Sequence, residues 1–146
     1  TTMDVVRHPP SVILLPMPDS AHIVLVRQYR YAVDRWIWEL PAGNVEPGED
    51  IETAARRECH EEIGRVPDRI ERLAELYPTP GYSDEVMVFF RLVGLSIPVE
   101  PAHLDEDEIL EPQLFTLADV RTRIQRGEIR DMKTVLGIRM LLTPDS

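Results

Sequence analysis

The chain has 146 residues, of which 43% are hydrophobic and 29% are charged, and its formal net charge at pH 7 is -10. This length and composition predict a single compact domain over residues 1–146. The acidic balance argues against a large nucleic-acid surface, because binding to a phosphate backbone needs a basic stripe. A small phosphate-bearing ligand remains compatible with it, since divalent cations can lie between carboxylates and a polyphosphate.

We expect a cytoplasmic protein without a membrane segment. No apolar run approaches the ~20 residues that a transmembrane helix needs, and no signal peptide is expected. Cys59 is the single cysteine, which excludes an internal disulfide and fits a reducing compartment. It falls within a predicted helix and has no histidine partner in a nucleophile-like arrangement. We therefore interpret it as a small apolar packing residue rather than a catalytic thiol.

Apolar segments and turns alternate in the first half of the chain, which is typical of β-strands. The first two segments are predicted to form a hairpin around the turn Pro18-Asp19-Ser20. The third is predicted to end at Pro41 and Gly43. A helix follows, with Asp50 as its N-cap and Gly64 as its C-terminal stop. The strands are expected at residues 11–18, 21–30 and 35–43, and the helix at residues 50–63.

The second half of the chain is predicted to contain further strands and two helices. Residues 84–96 give the strongest strand signal, because they are rich in Val and Phe. Another strand begins in RIERLAEL, and a short one is expected at 114–115. One helix is capped by Thr116 or Asp119 and ends at Gly127, and a second amphipathic segment follows at MKTVLGIRMLL. This mixed order favours the α+β class, with a sheet covered by helices.

Acidic and apolar side chains share one face of the helix at residues 50–63. At about 100° per residue, Ile51, Ala54 and Ala55 lie on the face that should contact the core, and Glu58 and Glu62 fall on the same face. A solvated acidic face does not explain this placement. Two carboxylates four residues apart repel each other unless a cation lies between them. Oxygen ligands suit a hard cation, so the helix is predicted to bind Mg²⁺ or Mn²⁺.

The stretch GNVEPGEDIETAARRECHEEIGR resembles the Nudix box, whose pattern is G-x5-E-x7-R-E-U-x-E-E-x-G-U with U a bulky apolar residue. Cys59 is an acceptable though small U, and Arg65 departs from the final U. The resemblance implies the Nudix fold, an α/β/α sandwich with a mixed β-sheet between helices. The fixed positions of the box are occupied by Gly43, Glu49, Arg57, Glu58, Glu61, Glu62 and Gly64.

The resemblance also implies a role for each residue of the box. Glu58 and Glu62 are implied to be metal ligands, and the backbone carbonyl of Ala42 to complete the shell. Glu61 is implied as a further ligand, direct or through water, and we count it with the catalytic residues. The remaining box residues are implied to be structural, with Arg57 fixing the glutamates through charge-assisted hydrogen bonds. These structural residues are Gly43, Glu49, Arg57 and Gly64.

The segment LVRQYRYAVDRWIWELPAG resembles the strand pair that enters the box in ADP-ribose pyrophosphatases. This implies that Arg27 and Arg30 lie near the pyrophosphate or a subunit interface. Tyr31 or Trp36 is expected to stack on the adenine, although core packing explains either aromatic residue equally well. Glu39 is expected to contact the ligand or the metal region.

Two further segments resemble the same enzymes. Pro80 lies 16 residues beyond Gly64 and is followed by Gly81, a placement that marks the ADP-ribose pyrophosphatases, although a plain surface turn has the same composition. The acidic run DEDE resembles a mobile loop that supplies the general base. Glu108 matches that pattern best and Glu106 second; a solvated charge run is the alternative.

The residues and the resemblance together predict a Mg²⁺-dependent enzyme, with Mn²⁺ as a possible substitute, that cleaves ADP-ribose to AMP and ribose 5-phosphate. Pyrophosphatases of GDP-mannose or other nucleoside-diphosphate sugars are the first alternative. A non-catalytic ADP-ribose sensor is the second, although such modules commonly lose box glutamates. The expected partners are a small nucleoside-diphosphate substrate and a second copy of the chain, because the resemblance implies a homodimer.

Overall fold

A computed structural model describes residues 2–98 and 110–142. The predictions for Glu106 and Glu108 therefore lie outside the described residues. A short 3-10 turn at Tyr31–Val33 joins the second and third strands. In chain order, the strands and helices of the described ranges are β1 (Ser11–Met17), β2 (His22–Arg30), β3 (Arg35–Glu39), β4 (Ala42–Asn44), α1 (Ile51–Ile63), β5 (Val66–Leu76), β6 (Met87–Ser96), β7 (Glu111–Thr116), α2 (Leu117–Gln125) and α3 (Met132–Leu142).

The strands form two sheets, with the orders β4-β1-β6-β5 and β3-β2-β7. β1 runs parallel to β6 and antiparallel to β4, so the first sheet is mixed. The second is antiparallel, with β2 between β3 and β7. The predicted hairpin of the first two strands is therefore wrong. Both edges of β1 are taken by β4 and β6, so β2 pairs in the other sheet.

The predicted strand at residues 35–43 is also corrected, because the chain divides it into β3 and β4. The break falls at Leu40 and Pro41, where the chain passes from β3, which pairs with β2, to β4, which pairs with β1. The carbonyl of Pro41 still accepts a hydrogen bond of 2.9 Å from the Leu14 N–H. This crossing places β4 against β1 and directly before the loop that enters α1.

Helices cover both faces of β1, every residue of which is buried. Val12 and Leu14 pack in the cluster that includes α1, whereas Ile13 and Leu15 pack in the cluster that includes α2 and α3. This alternation follows from the two-residue period of a strand. The α+β class with a mixed sheet between helices is thus confirmed.

The predicted boundaries of α1 agree with the structure. The Asp50 side chain accepts hydrogen bonds from two backbone N–H groups of the first turn, and Gly64 ends the helix at φ 63°. Ala54 and Ala55 are fully buried, as helical periodicity predicts. Cys59 is also fully buried, and burial raises the pKa of its thiol to about 12, which fits a packing residue.

The other predicted elements of the second half are present. The strand at 84–96 is β6, the short strand is β7, and the terminal helices are α2 and α3. Thr116 rather than Asp119 caps α2, because its hydroxyl accepts a 3.0 Å hydrogen bond from the Asp119 N–H. Gly127 follows the helix with φ 72°. Over residues 2–98 and 110–142, none of the helices is long and apolar enough to cross a membrane.

Candidate active site

A cavity of about 700 Å³ lies where β1, β2 and β4 meet α1 and the start of α3. Its walls combine carboxylates, mainly from α1 and the loop before it, with basic side chains from β2 and α3. This mixture suits a ligand that carries negative charge and is bound together with a cation. The residues that line it are His8, Ser11, Ile13, Gln28, Arg30, Ala42, Gly43, Asn44, Glu46, Arg57, Glu58, Glu61, Glu85, Met87 and Lys133.

The contact between Gly43 and Glu58 sets the position of α1 over β4. Gly43 pairs with Val12 of β1, and the Glu58 carboxyl lies directly over it. A Cβ atom added at Gly43 would lie 1.9 Å from Cδ of Glu58. A side chain at position 43 would therefore have to displace the buried Glu58 carboxylate, which explains the glycine at this close approach.

Arg57 joins the acidic side chains around this contact. Its Nε and Nη2 donate to the two carboxylate oxygens of Glu49 at 2.8 and 3.0 Å. Its Nη1 donates to Glu58 at 2.7 Å and to Glu61 at 3.0 Å, and Nη2 also donates to the Asn44 carbonyl at 3.0 Å. All five N–H donors of the guanidinium are thus used.

The same contacts shift the pKa values of the pair at its centre. Hydrogen bonds from Arg57 lower the pKa of Glu49 below its ordinary value of 4.5, and burial opposes this only in part. Hydrogen bonds to Glu49, followed by those to Glu58, raise the pKa of Arg57. Arg57 is therefore a fixed cation that orients the carboxylates of the loop and of α1.

Three of the four predicted metal ligands line the cavity, and Glu62 is not among the described lining residues but contacts Ala42. Glu58, Glu61 and Ala42 are the three that line it, and the Glu62 carboxylate accepts a 2.9 Å hydrogen bond from the Ala42 N–H. Over the described ranges, no three His, Cys, Asp or Glu side chains are arranged around one metal position. Oxygen donors of this kind nevertheless fit a hard divalent cation, which keeps waters and binds through one or two carboxylates and substrate phosphates.

A second network surrounds Glu39, which is only 2% exposed. Arg30 donates to it from Nε at 2.7 Å and from Nη2 at 2.9 Å, and Lys133 Nζ lies 2.5 Å from Oε1. Burial raises the pKa of Glu39, but the hydrogen bonds from Arg30 and Lys133 outweigh it, so the pKa lies below its ordinary value. Arg30 and Lys133 line the cavity, whereas Glu39 is not among the described lining residues.

Several lining residues were not identified from the sequence. Ser11 donates a 2.7 Å hydrogen bond to Glu85, and His8 Nδ1 lies 3.6 Å from the same carboxylate. The sequence pattern places Lys133 only in an amphipathic helix. One sequence signal was available for it, because it is the single lysine among sixteen basic residues. Nothing comparable distinguishes Ser11 within its apolar strand.

Other predicted substrate residues do not line this cavity in the described structure. The Arg27 guanidinium lies 5.3 Å from the ring centre of Trp36 and 3.7 Å from Glu111. Tyr31 is 89% exposed in the short 3-10 turn. Pro80 and Gly81 lie in a turn that is closed by hydrogen bonds to the Thr79 carbonyl.

Fold and site together define a class of protein. It is an α/β/α sandwich in which a glutamate-rich helix lies on a glycine-containing strand beside a cavity with acidic and basic walls. The NUDIX domain matches residues 7–135. The chain therefore belongs to the Nudix family, whose members generally need a divalent metal and act on small nucleotide substrates.

Most of this chain is similar to known proteins in sequence or in fold. An ADP-ribose pyrophosphatase of Bacillus subtilis (strain 168) is 36% identical over 138 residues, which are 94% of this chain and 75% of that protein. A methanol dehydrogenase activator of Bacillus methanolicus has the same identity and coverage. The crystal structure of an ADP compounds hydrolase aligns with a TM-score of 0.81 over 91% of this chain and 70% of that chain. Because its sequence identity is 23%, this likeness bears on the fold alone.

Replacing Gly43 by Ala is expected to lower the free energy of unfolding by about 1–3 kcal/mol, because the new methyl group displaces the Glu58 carboxyl. Urea unfolding measures this. Gly81→Ala is the matched control, since no atom lies within 4 Å of its added Cβ. The Gly43→Ala cost should shrink in a Glu58→Ala background. An equal cost in both backgrounds would contradict the steric explanation.

Glu49→Gln is expected to lower the free energy of unfolding at pH 7 by about 1–2 kcal/mol, because a neutral amide replaces a carboxylate bound by Arg57. The folded-state pKa of Glu49 is lowered, so this stabilisation is present above its ordinary pKa of 4.5 and is lost as the pH falls through the folded value. Urea unfolding of both proteins from pH 7 to 3 should show their difference narrowing below pH 4.5. Glu52→Gln, on the exposed side of α1, is the control; a pH-independent Glu49 difference would refute the assignment.

Proposed function

We propose that this chain is a Mg²⁺-dependent pyrophosphohydrolase that cleaves ADP-ribose to AMP and ribose 5-phosphate. The observation that carries the proposal is the cavity itself, where Glu58 and Glu61 of α1 lie beside Ala42 while Arg30 and Lys133 line the same space. The similarity to an ADP-ribose pyrophosphatase over 94% of the chain supports this choice of substrate. Mn²⁺ is proposed as a substitute because its ligand preferences are similar.

The metal is assigned to the end of the cavity at α1. Glu58, Glu61, Glu62 and the Ala42 carbonyl would hold it there. A bound divalent cation neutralises charge on the pyrophosphate and lowers the pKa of a bound water. Arg57 orients Glu58 and Glu61 even without the cation, because the hydrogen bonds from Arg57 to both carboxylates are already formed.

The chain's own residues would bind the substrate and remove a proton. Arg30 uses Nε and one Nη2 hydrogen on Glu39, so its other N–H donors are available to phosphate oxygens. Water attacks one phosphorus, and the P–O–P link to the other phosphoryl group breaks. We assign the proton of that water to Glu108, with Glu106 as the second candidate. Both assignments stay predictions, since these residues lie outside the described ranges.

The remaining substrate assignments rest on the resemblance and on exposure. Tyr31 or Trp36 is proposed to stack on the adenine, and both rings are accessible. Arg27 is proposed to act beside Trp36, over which its guanidinium already lies. Pro80 and Gly81 are proposed to border the group beyond the pyrophosphate, because the chain returns from them to the cavity at Glu85.

We further propose that the protein acts as a cytoplasmic homodimer. Exposed aromatic residues, which are enriched at interfaces, support the dimer: Tyr29, Tyr31 and Trp36 lie close in sequence on β2, the short turn and β3. Sedimentation at micromolar concentration should give twice the chain mass of 16.8 kDa. A species of single-chain mass throughout the accessible concentration range would argue against it.

Turnover of a panel of nucleotides is expected to show Mg²⁺-dependent production of AMP from ADP-ribose. ADP-glucose and GDP-mannose are the comparison substrates, and product analysis identifies the bond that is broken. A clear preference for GDP-mannose would favour the alternative enzyme. Binding of ADP-ribose without turnover would favour the sensor.

Glu62→Gln in the same assay tests the metal assignment. We expect a loss of turnover of at least about a hundredfold, because a ligand charge is removed. Circular dichroism should show an intact fold. Unchanged Mg²⁺-dependent activity would count against Glu62 as a ligand.

A further inference from the structure

We propose that Lys133 is a substrate-binding residue that works with Arg30 to hold one phosphoryl group of the substrate, an assignment that rests on the proposed pyrophosphohydrolase function. Lys133 is the single lysine of the chain. Its side chain is 12% exposed and lines the cavity. Lysine is almost never this buried unless it is paired.

Hydrogen-bond donors decide which cations of the cavity can bind a phosphate. Among the described residues that line the cavity, the arginines and lysines are Arg30, Arg57 and Lys133. Arg57 uses all five of its donors on Glu49, Glu58, Glu61 and the Asn44 carbonyl. Of these three side chains, Arg30 and Lys133 therefore keep donors for a phosphate.

Glu39 holds these two cations side by side. Arg30 Nη2 and Lys133 Nζ both donate to the same oxygen, Oε1, at 2.9 and 2.5 Å. The two nitrogens therefore lie no farther apart than the sum of those distances. Two donors that bind one phosphoryl group must lie this close to each other. Like charges at this separation repel, and the shared buried carboxylate offsets that repulsion.

The start of α3 fixes Lys133 in this position. Both Asp131 oxygens lie 3.1 Å from Nζ, and one of them also accepts hydrogen bonds from the N–H and hydroxyl of Thr134. The Thr134 hydroxyl accepts a 2.9 Å hydrogen bond from the Leu40 N–H, next to Glu39. An ammonium group has three donors. Glu39 Oε1 takes one, and the two Asp131 oxygens, which are equally distant from Nζ, can share one bifurcated N–H, which leaves a third for a ligand.

A purely structural role is the competing explanation, because Lys133 also compensates the buried charge of Glu39. The two roles separate when Lys133→Met is compared in the wild type and in a Glu39→Gln background. The neutral amide of that background needs no compensation, so the structural demand on the lysine is reduced to its contact with Asp131. A phosphate-binding lysine remains necessary in both backgrounds.

Kinetics and stability are measured on the same four proteins. We expect Lys133→Met to raise KM for ADP-ribose about tenfold, the usual cost of one charge-assisted contact. In the Glu39→Gln background it should still raise KM at least about threefold. The proposal would be overturned if, in that background, Lys133→Met raised KM by less than about threefold and no longer lowered the free energy of unfolding. Arg130→Met is the control: it removes a positive charge from an exposed position three residues away, and KM should not change.

Chemical labelling gives a readout that needs neither metal nor turnover. Lys133 carries the only ε-amino group of the chain, so reductive methylation followed by peptide mass analysis reports on this one side chain. ADP-ribose at a concentration that saturates the protein by equilibrium dialysis should slow methylation at least about threefold. Inorganic pyrophosphate should protect as well, whereas adenosine should not.

The outcomes separate this proposal from the proposed function. If the wild type cleaves ADP-ribose but methylation of Lys133 is equally fast with bound ADP-ribose, the Lys133 assignment is wrong and the function stands. If no nucleoside-diphosphate compound is cleaved, the proposed function fails. Protection by pyrophosphate would then still support an anion site at Lys133, and its absence would remove that site too.

Discussion

The burial of β1 on both faces is the constraint from which the site follows. A strand without a solvent face needs helices on both sides and a partner at each edge. β6 fills one edge in parallel and β4 fills the other. The register of β4, with Gly43 opposite Val12, then places a residue without a side chain under Glu58. A buried apolar strand thereby determines where the carboxylates of α1 lie.

Two charge networks lie beside the cavity, one around Arg57 and one around Glu39. The one around Arg57 is closed, because its donors are all used within the protein. The one around Glu39 is open. Arg30 gives Glu39 only two of its five donors, and Lys133 keeps one donor when the two Asp131 oxygens share a bifurcated N–H. The closed network would keep carboxylates oriented for the proposed cation. The open network would keep cations oriented for an anion, which is the complementary requirement of a metal-bound pyrophosphate.

The sequence was sufficient where the determinants are local. The limits of α1 follow from Asp50 and Gly64, and its buried face follows from helical periodicity. Strand pairing depends on distant partners, so the hairpin of β1 with β2 was predicted wrongly. Lys133 and Glu39 are separated by 94 positions, and no periodic pattern links them. The roles of the site residues and the single domain over 1–146 stay predictions, as does the base in the acidic run.

The net charge of -10 explains why the cavity needs both the carboxylates around Arg57 and the cations around Glu39. An acidic protein repels an anionic substrate at long range, although salt screens that repulsion beyond ~8 Å at physiological ionic strength. Affinity for a pyrophosphate must then come from contacts inside the cavity. The α1 carboxylates would themselves repel it without a cation, so a bound metal would strengthen binding. The Arg30 and Lys133 donors are independent of the metal, and together the two sets would favour a substrate that brings phosphate and cation at once.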